Sequence, residues 1–223
     1  MDHFLKRFTI IDFLSMFVPG GILVLAWNYY VGGVTEPIRQ FFGEQAAAIA
    51  VYFVMISYLA GVVLQEVSKG LEKNWAQSLE DLHTEWLSIP QMDTSYQVIF
   101  GQTLDEAKCQ YDNNKLGRRI FIFVSDLDIS GSKLSLFHAF YSMARNSTAV
   151  AILIFGMSVL AVVHRDIITV NDLVVPILSP ILAVIMYFRS KRFYWLTQER
   201  AYRDFLKFGE EKIKQQKSDC ALE

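Results

Sequence analysis

The sequence predicts an all-α integral membrane protein with four transmembrane helices. A helical cytosolic domain is built from the segment between the second and third spans and from the C-terminal tail. Three observations predict it. Four apolar stretches, at about 13–31, 46–64, 146–164 and 173–188, contain no Asp, Glu, Lys or Arg. The 223-residue chain is 52% hydrophobic, with mean hydropathy +0.26. Its basic residues crowd into the segments before, between and after two pairs of these stretches. A helix rises about 1.5 Å per residue, so ~20 apolar residues cover a hydrocarbon core of about 30 Å.

The first hairpin covers 1–64, with spans at 13–31 and 46–64. The first apolar run is longer than a signal-peptide core and lacks a convincing cleavage site, so it reads as a retained helix. Asp12 stands at its start as a candidate cap or as the partner of a basic group. Pro19-Gly20-Gly21 interrupts the span, because proline lacks a backbone donor and glycine weakens a helix. The break reads either as a hinge or as a packing kink. Trp27, Tyr29 and Tyr30 mark the outer interface. In the second span Ser57, Ala60 and Gly61 form a small-residue face that lets helix backbones approach, and Gly43, Ala47 and Ala50 extend it.

Residues 65–145 form the cytosolic segment. Val67, Leu71, Trp75, Leu79, Leu82 and Trp86 recur at helical steps, which predicts that the second span projects onward as one helix to Pro90. Residues 90–103 read as a loop. Thr103 with Glu106 three positions later reads as a capping box that opens a helix. Residues 118–124 fit a strand or a buried helical turn; with no second strong strand to pair with, the helical turn is favoured. Ser130-Gly131-Ser132 breaks the chain, and a helix resumes at Lys133 and feeds into the third span. The second hairpin, 146–188, holds spans at 146–164 and 173–188, the last with Pro176 and Pro180. Residues 189–223 form a C-terminal amphipathic helix with an apolar face through Tyr194, Trp195, Ala201, Tyr202, Phe205, Leu206 and Phe208. Leu222-Glu223 reads as a candidate cloning scar.

Charge gives the orientation. Of 21 Lys and Arg residues, all but Arg39 and Arg165 fall outside the two short loops. Basic residues stay on the cytoplasmic side. Both termini and the middle segment are therefore expected in the cytoplasm, with the chain a multi-pass protein of the inner membrane. The net charge of −2 gives no global basic field for nucleic acid. Cys109 and Cys220 read as free thiols.

Catalytic constellations are missing. His3, His83, His138 and His164 are scattered without metal-ligand spacing, and no nucleophile elbow or phosphate-cradling glycine loop occurs. Asp126 and Asp128 read as a solvated loop pair. No catalytic residue, metal or cofactor is expected, and the chain is not read as an enzyme. The one cluster with binding chemistry is Lys115, Arg118 and Arg119, flanked by Tyr111 and Phe121. Guanidinium forks grip phosphate and aromatic faces stack bases, so the cluster is a candidate site for a nucleotide or short oligonucleotide.

Asp12-Phe13 with Pro19-Gly20, the run 61–65 leaving span two, 140–146 entering span three and 200–205 in the tail carry a resemblance. The chain resembles small four-span membrane proteins of bacterial anti-phage defence loci. The nearest analogy is the membrane effector of the Hailong system, with the membrane sensor of the Kiwa system as the second. The first resemblance implies an oligomeric ion channel held shut by a cytosolic oligonucleotide.

Two functions follow as expectations. One is a ligand-gated, homo-oligomeric ion channel, a tetramer by guess, whose pore forms between subunits. Asn28, Ser57 and Tyr58 then line the pore and Pro19, Gly20 and Gly21 form the gate. The other is a non-conducting membrane sensor or scaffold that recruits a cytosolic partner protein. A lipid-directed enzyme comes third, for want of catalytic groups.

Overall fold

The computed structural model describes residues 13–31, 46–71, 76–127, 133–165 and 169–220. Among them the chain is helical, with no strand. A π-helical turn, Phe13–Phe17, leads into α1, Val18–Tyr30. There follow α2 (Ala46–Ser68), α3 (Ala76–Leu87), α4 (Pro90–Phe100), α5 (Leu104–Gln110), α6 (Asn113–Leu127), α7 (Lys133–Val163) and α8 (Val170–Cys220). The expectations for Asp12, Gly43, Trp75, Asp128 and the 130–132 break lie outside the described residues.

Three helical stretches, Ala47–Leu71, Leu136–Val163 and Asp172–Ser218, are long and apolar enough to cross a membrane. The first apolar segment contributes a 13-residue α-helix and a five-residue π turn. At 1.5 Å per residue that α-helix alone spans about 20 Å, short of a hydrocarbon core.

The fold divides into two compact units. The first comprises Met1–Lys73 and His138–Phe193. Here α1 packs on α2 through its glycines. A Cβ on Gly20 would stand 1.9 Å from the Ser57 carbonyl oxygen, and one on Gly61 would stand 2.2 Å from that of Met16. Only hydrogen fits at either position, so backbone lies on backbone. Leu64, Ala149 and Val150 form a small core here, with Leu23 and Ile154 against it.

The second unit comprises Asn74–Phe137 and Tyr194–Glu223. Its core gathers Met92, Tyr96, Leu104, Ala107, Leu116, Ile120 and Phe205, each essentially without solvent contact. Phe205 lies at the centre of an aromatic cluster with Tyr96, Phe100 and Phe123.

Several local expectations change. Residues 90–100 are helical where a loop was expected. Pro90 occupies the first turn, where its missing N–H has no helical acceptor in any case. Gly101 ends α4 in the left-handed conformation, φ 72°, its N–H donating to the Gln97 carbonyl at 2.9 Å. Met92, Ser95 and Tyr96 turn inward from this helix. The expected capping box is present: Thr103 Oγ1 accepts from Glu106 N–H at 3.3 Å, and the Glu106 carboxylate accepts from Thr103 N–H at 2.9 Å. Residues 118–124 belong to α6, whose buried positions Leu116, Ile120 and Val124 keep the four-residue helical step. The second span does not run to Pro90 as one α-helix. Its α-helix stops at Ser68 and tightens to a 3₁₀ turn over 69–71, and Val67 is 62% exposed instead of continuing an inward stripe. The last apolar stretch and the tail are one 51-residue helix with Pro176 and Pro180 inside it.

Candidate functional site

The basic cluster sits on the N-terminal half of α6. Asp112 precedes this helix and accepts from Lys115 N–H at 2.7 Å, so it caps the helix start. Its other carboxylate oxygen lies 3.6 Å from Lys115 Nζ, an exposed pair. Positions 115, 118 and 119 fall within one third of the helix circumference, so the spacing does place the three cations on one side. Their surroundings then separate them.

Arg119 is half-buried in an aromatic cage. Its guanidinium carbon lies 4.4 Å from the Phe100 ring centroid, 5.8 Å from Tyr96 and 5.9 Å from Tyr111. Nη1 also donates to the Tyr96 hydroxyl at 3.1 Å. Cation–π attraction and a charge-assisted hydrogen bond hold this cation against the wall of the unit. Arg118 and Lys115 are exposed. The outward-facing charge that an anionic ligand would meet is therefore that of Lys115 and Arg118, with Arg119 as their anchored neighbour.

Directly behind the cluster, Gly117 faces a buried pair that the sequence reading did not single out. His83 Nδ1 and the Tyr202 hydroxyl lie 2.7 Å apart, and Trp86 stacks on Tyr202 at 5.6 Å and 3°. A Cβ on Gly117 would stand 2.4 Å from His83 Cε1 and 2.7 Å from the Tyr202 hydroxyl. Burial lowers the His83 imidazole from its usual value and raises the Tyr202 phenol. Both effects favour the neutral form. The only cue in the sequence was a lone His at a helical core position and a Tyr on the tail's apolar face.

The first unit holds the residues expected at a pore. Pro19, Gly20, Gly21 and Ser57 are all buried where α1 crosses α2 within one protomer. Asn28 and Tyr58 are half-buried. Asn28 lies eight residues beyond Gly20, about 12 Å along the helix. Pro19 cannot donate to the carbonyl four residues back, that of Ser15. Asn146 Nδ2 donates to that carbonyl instead, at 2.8 Å, and Asn146 Oδ1 accepts from Ser68 Oγ at 2.6 Å. Asn146 is fully buried. A polar relay thus ties the π turn, the end of α2 and α7 together, as buried amides do where no water reaches the backbone. In the sequence Asn146 stood only as the first residue of the third apolar stretch and the end of the 140–146 run.

Among the described residues no group of three His, Cys, Asp or Glu side chains converges to hold a metal. No protein-family model matches this chain, and neither the curated proteins nor the solved structures contain a match. Among the described residues the fold is helical throughout, with three helices long and apolar enough to cross a membrane and a separate hydrophobic core in the second unit.

Proposed function

We propose that the chain is a multi-pass protein of the bacterial inner membrane that serves as a sensor or scaffold, a non-conducting anchor for its second helical unit. In this reading the segment 13–31 is a fourth span. Both termini and the unit around Tyr96 and Phe205 lie in the cytoplasm, where the basic residues are concentrated. The exposed Lys115 and Arg118 meet an anionic ligand, a nucleotide or short oligonucleotide, or the acidic surface of a partner protein. The likeness to anti-phage defence proteins supplies the biological setting, and a homo-oligomer fits it.

One observation carries the choice of anchor over channel. Among the described residues of the four apolar segments, no Ser, Thr or Asn is fully exposed, and Ser15, Ser57, Asn146, Thr148, Ser158 and Ser179 are all buried. The exposed surface is mostly Ile, Leu, Val, Phe and Met, as at Ile22, Leu25, Val54, Met55, Ile177 and Ile181, with Trp27, Tyr29 and His164 exposed towards the segment ends. A pore between protomers would be lined from that surface. It would offer few groups to replace the water that an ion sheds.

The channel remains the second reading on a separate observation. A π turn followed by proline lies in the first segment, and the Ser57 hydroxyl beside it is buried without a hydrogen-bond partner among the described residues. Such irregularities gather at functional sites. Planar-bilayer recording on the purified protein decides between them. The anchor predicts a silent membrane at protein densities verified by flotation. Reproducible unitary currents, suppressed by nucleotide or short DNA, would overturn it in favour of the channel.

A further inference from the structure

The first unit contains an open apolar groove of about 560 Å³, within the range of lipid- and drug-sized sites. Leu71, Ile152 and Phe155 form one side, and Pro180, Val184 and Phe188 of α8 form the other, with Ala183 at its floor. Two of its lining residues carry hydroxyls, Thr148 of α7, whose Oγ1 donates to the Ala144 carbonyl at 2.9 Å, and Tyr187 of α8, and the exposed lining is otherwise apolar. Carbon therefore lines nearly the whole groove.

The α8 wall steps through 180, 183/184 and 187/188 at three- and four-residue intervals. The next step on that face is Lys191 and Arg192. Lys191 is half-buried and Arg192 exposed, and neither has a carboxylate partner among the described residues. From Pro180 to Phe188 the helix rises about 12 Å, close to the ~15 Å of one leaflet's hydrocarbon. An apolar slot one leaflet deep, with two cations at its rim, has the dimensions and the charge pattern of a phospholipid.

We propose that this groove binds one acyl chain of an anionic phospholipid, whose phosphate pairs with Lys191 and Arg192. The proposal rests on the reading of α7 and α8 as membrane spans. On that reading the cationic end lies at the cytoplasmic headgroup level, and the occupant is an inner-leaflet lipid. Charge complementarity selects the headgroup, because Lys and Arg near a membrane favour anionic lipid. The slot orders the chain, which a smooth helix surface does not.

The test is native mass spectrometry of the delipidated full-length protein in detergent, titrated with phosphatidylglycerol and, separately, phosphatidylcholine of the same chains. The wild type is expected to retain one phosphatidylglycerol with about tenfold preference over phosphatidylcholine. Lys191→Gln with Arg192→Gln should abolish the preference while leaving weak binding of both lipids. Ala183→Phe, which fills the floor, should abolish the stoichiometric adduct. Val184→Trp, at an exposed wall position, gives the same readout should Ala183→Phe fail to fold. Equal binding of the two lipids by the wild type would overturn the proposal, as would adducts that persist in both groove variants, which marks unspecific boundary lipid only. Loss of dimers in the groove variants, with lipid binding unchanged, would assign the groove to a second copy and overturn it equally. Carbonate extraction of membranes from the same cells checks the spans separately: protein that stays in the pellet without binding lipid defeats only the groove.

Discussion

The Gly117 position shows how one hydrogen atom organises the second unit. It leaves room for His83 and Tyr202 to meet at 2.7 Å, directly under the basic face of α6. Gly117→Ala drives a methyl into both rings and should cost about 1–3 kcal/mol of stability by overpacking. Tyr202→Phe should cost about 1–3 kcal/mol, because it strips a buried ring nitrogen of its partner. Thermal melts in detergent measure both. The two changes disrupt one pair, so the double variant should lose less than the sum of the singles. The same pair sets a pH dependence. Burial depresses the folded-state pKa of His83, while the unfolded ring titrates near 6.5. Below that value the unfolded chain takes up a proton that the folded chain refuses. The stabilisation present above about pH 6.5 is thus lost as the pH falls towards the depressed folded value. The melting midpoint should drop on acidification, and His83→Gln should flatten the drop; parallel pH curves for variant and wild type would exclude the effect. Arg119 makes a further distinction. Removing it should loosen the packing of Phe100, Tyr96 and Tyr111, so Arg119→Glu mixes structural damage with charge reversal. Lys115→Glu with Arg118→Glu alters only exposed charge, and should weaken capture of a short oligonucleotide in a filter or fluorescence assay without shifting the melt.

At the scale of elements, α1 and α2 are joined by backbone proximity, and α7 repairs the bond that Pro19 breaks. Asn146→Leu keeps the volume but removes the side-chain donor to the buried Ser15 carbonyl and leaves the Ser68 hydroxyl only its 3.2 Å bond to the Gln65 carbonyl, at about 1–3 kcal/mol. Gly61→Leu cannot be accommodated without parting α1 from α2, so the protein should lose its monodisperse elution in detergent. Long apolar runs and small-residue spacing were readable in the sequence because lipid imposes length and composition on a span. So was the Thr103–Glu106 capping box, whose partners are three residues apart. The helical character of 90–100 was hidden because proline at a first turn and proline in a loop look alike until Gly101 is seen to cap the other end. The Pro19–Asn146 relay was hidden for another reason: its members are far apart in the chain, and periodicity carries no information about such pairs.

For the whole molecule, two units are woven from alternating stretches of one chain, so α7 and α8 each contribute to both. The apolar lengths of three helices were legible, and so was the scarcity of cations in the two short loops, which hold only Arg39 and Arg165. The candidate site was legible only as a charge cluster. Spacing brought Lys115, Arg118 and Arg119 to one side of α6, but only the packing of α4 reveals that Arg119 is held by aromatic rings. Orientation in the membrane is the claim on which the sensor reading and the lipid groove both depend. Native Cys109 is exposed on α5 of the second unit and reports on it directly. In cells carrying the Cys220→Ser variant, a membrane-impermeant maleimide added to intact spheroplasts should leave Cys109 unmodified, and should label it fully once the membrane is opened. Labelling of Cys109 from the outside of sealed spheroplasts would contradict the account.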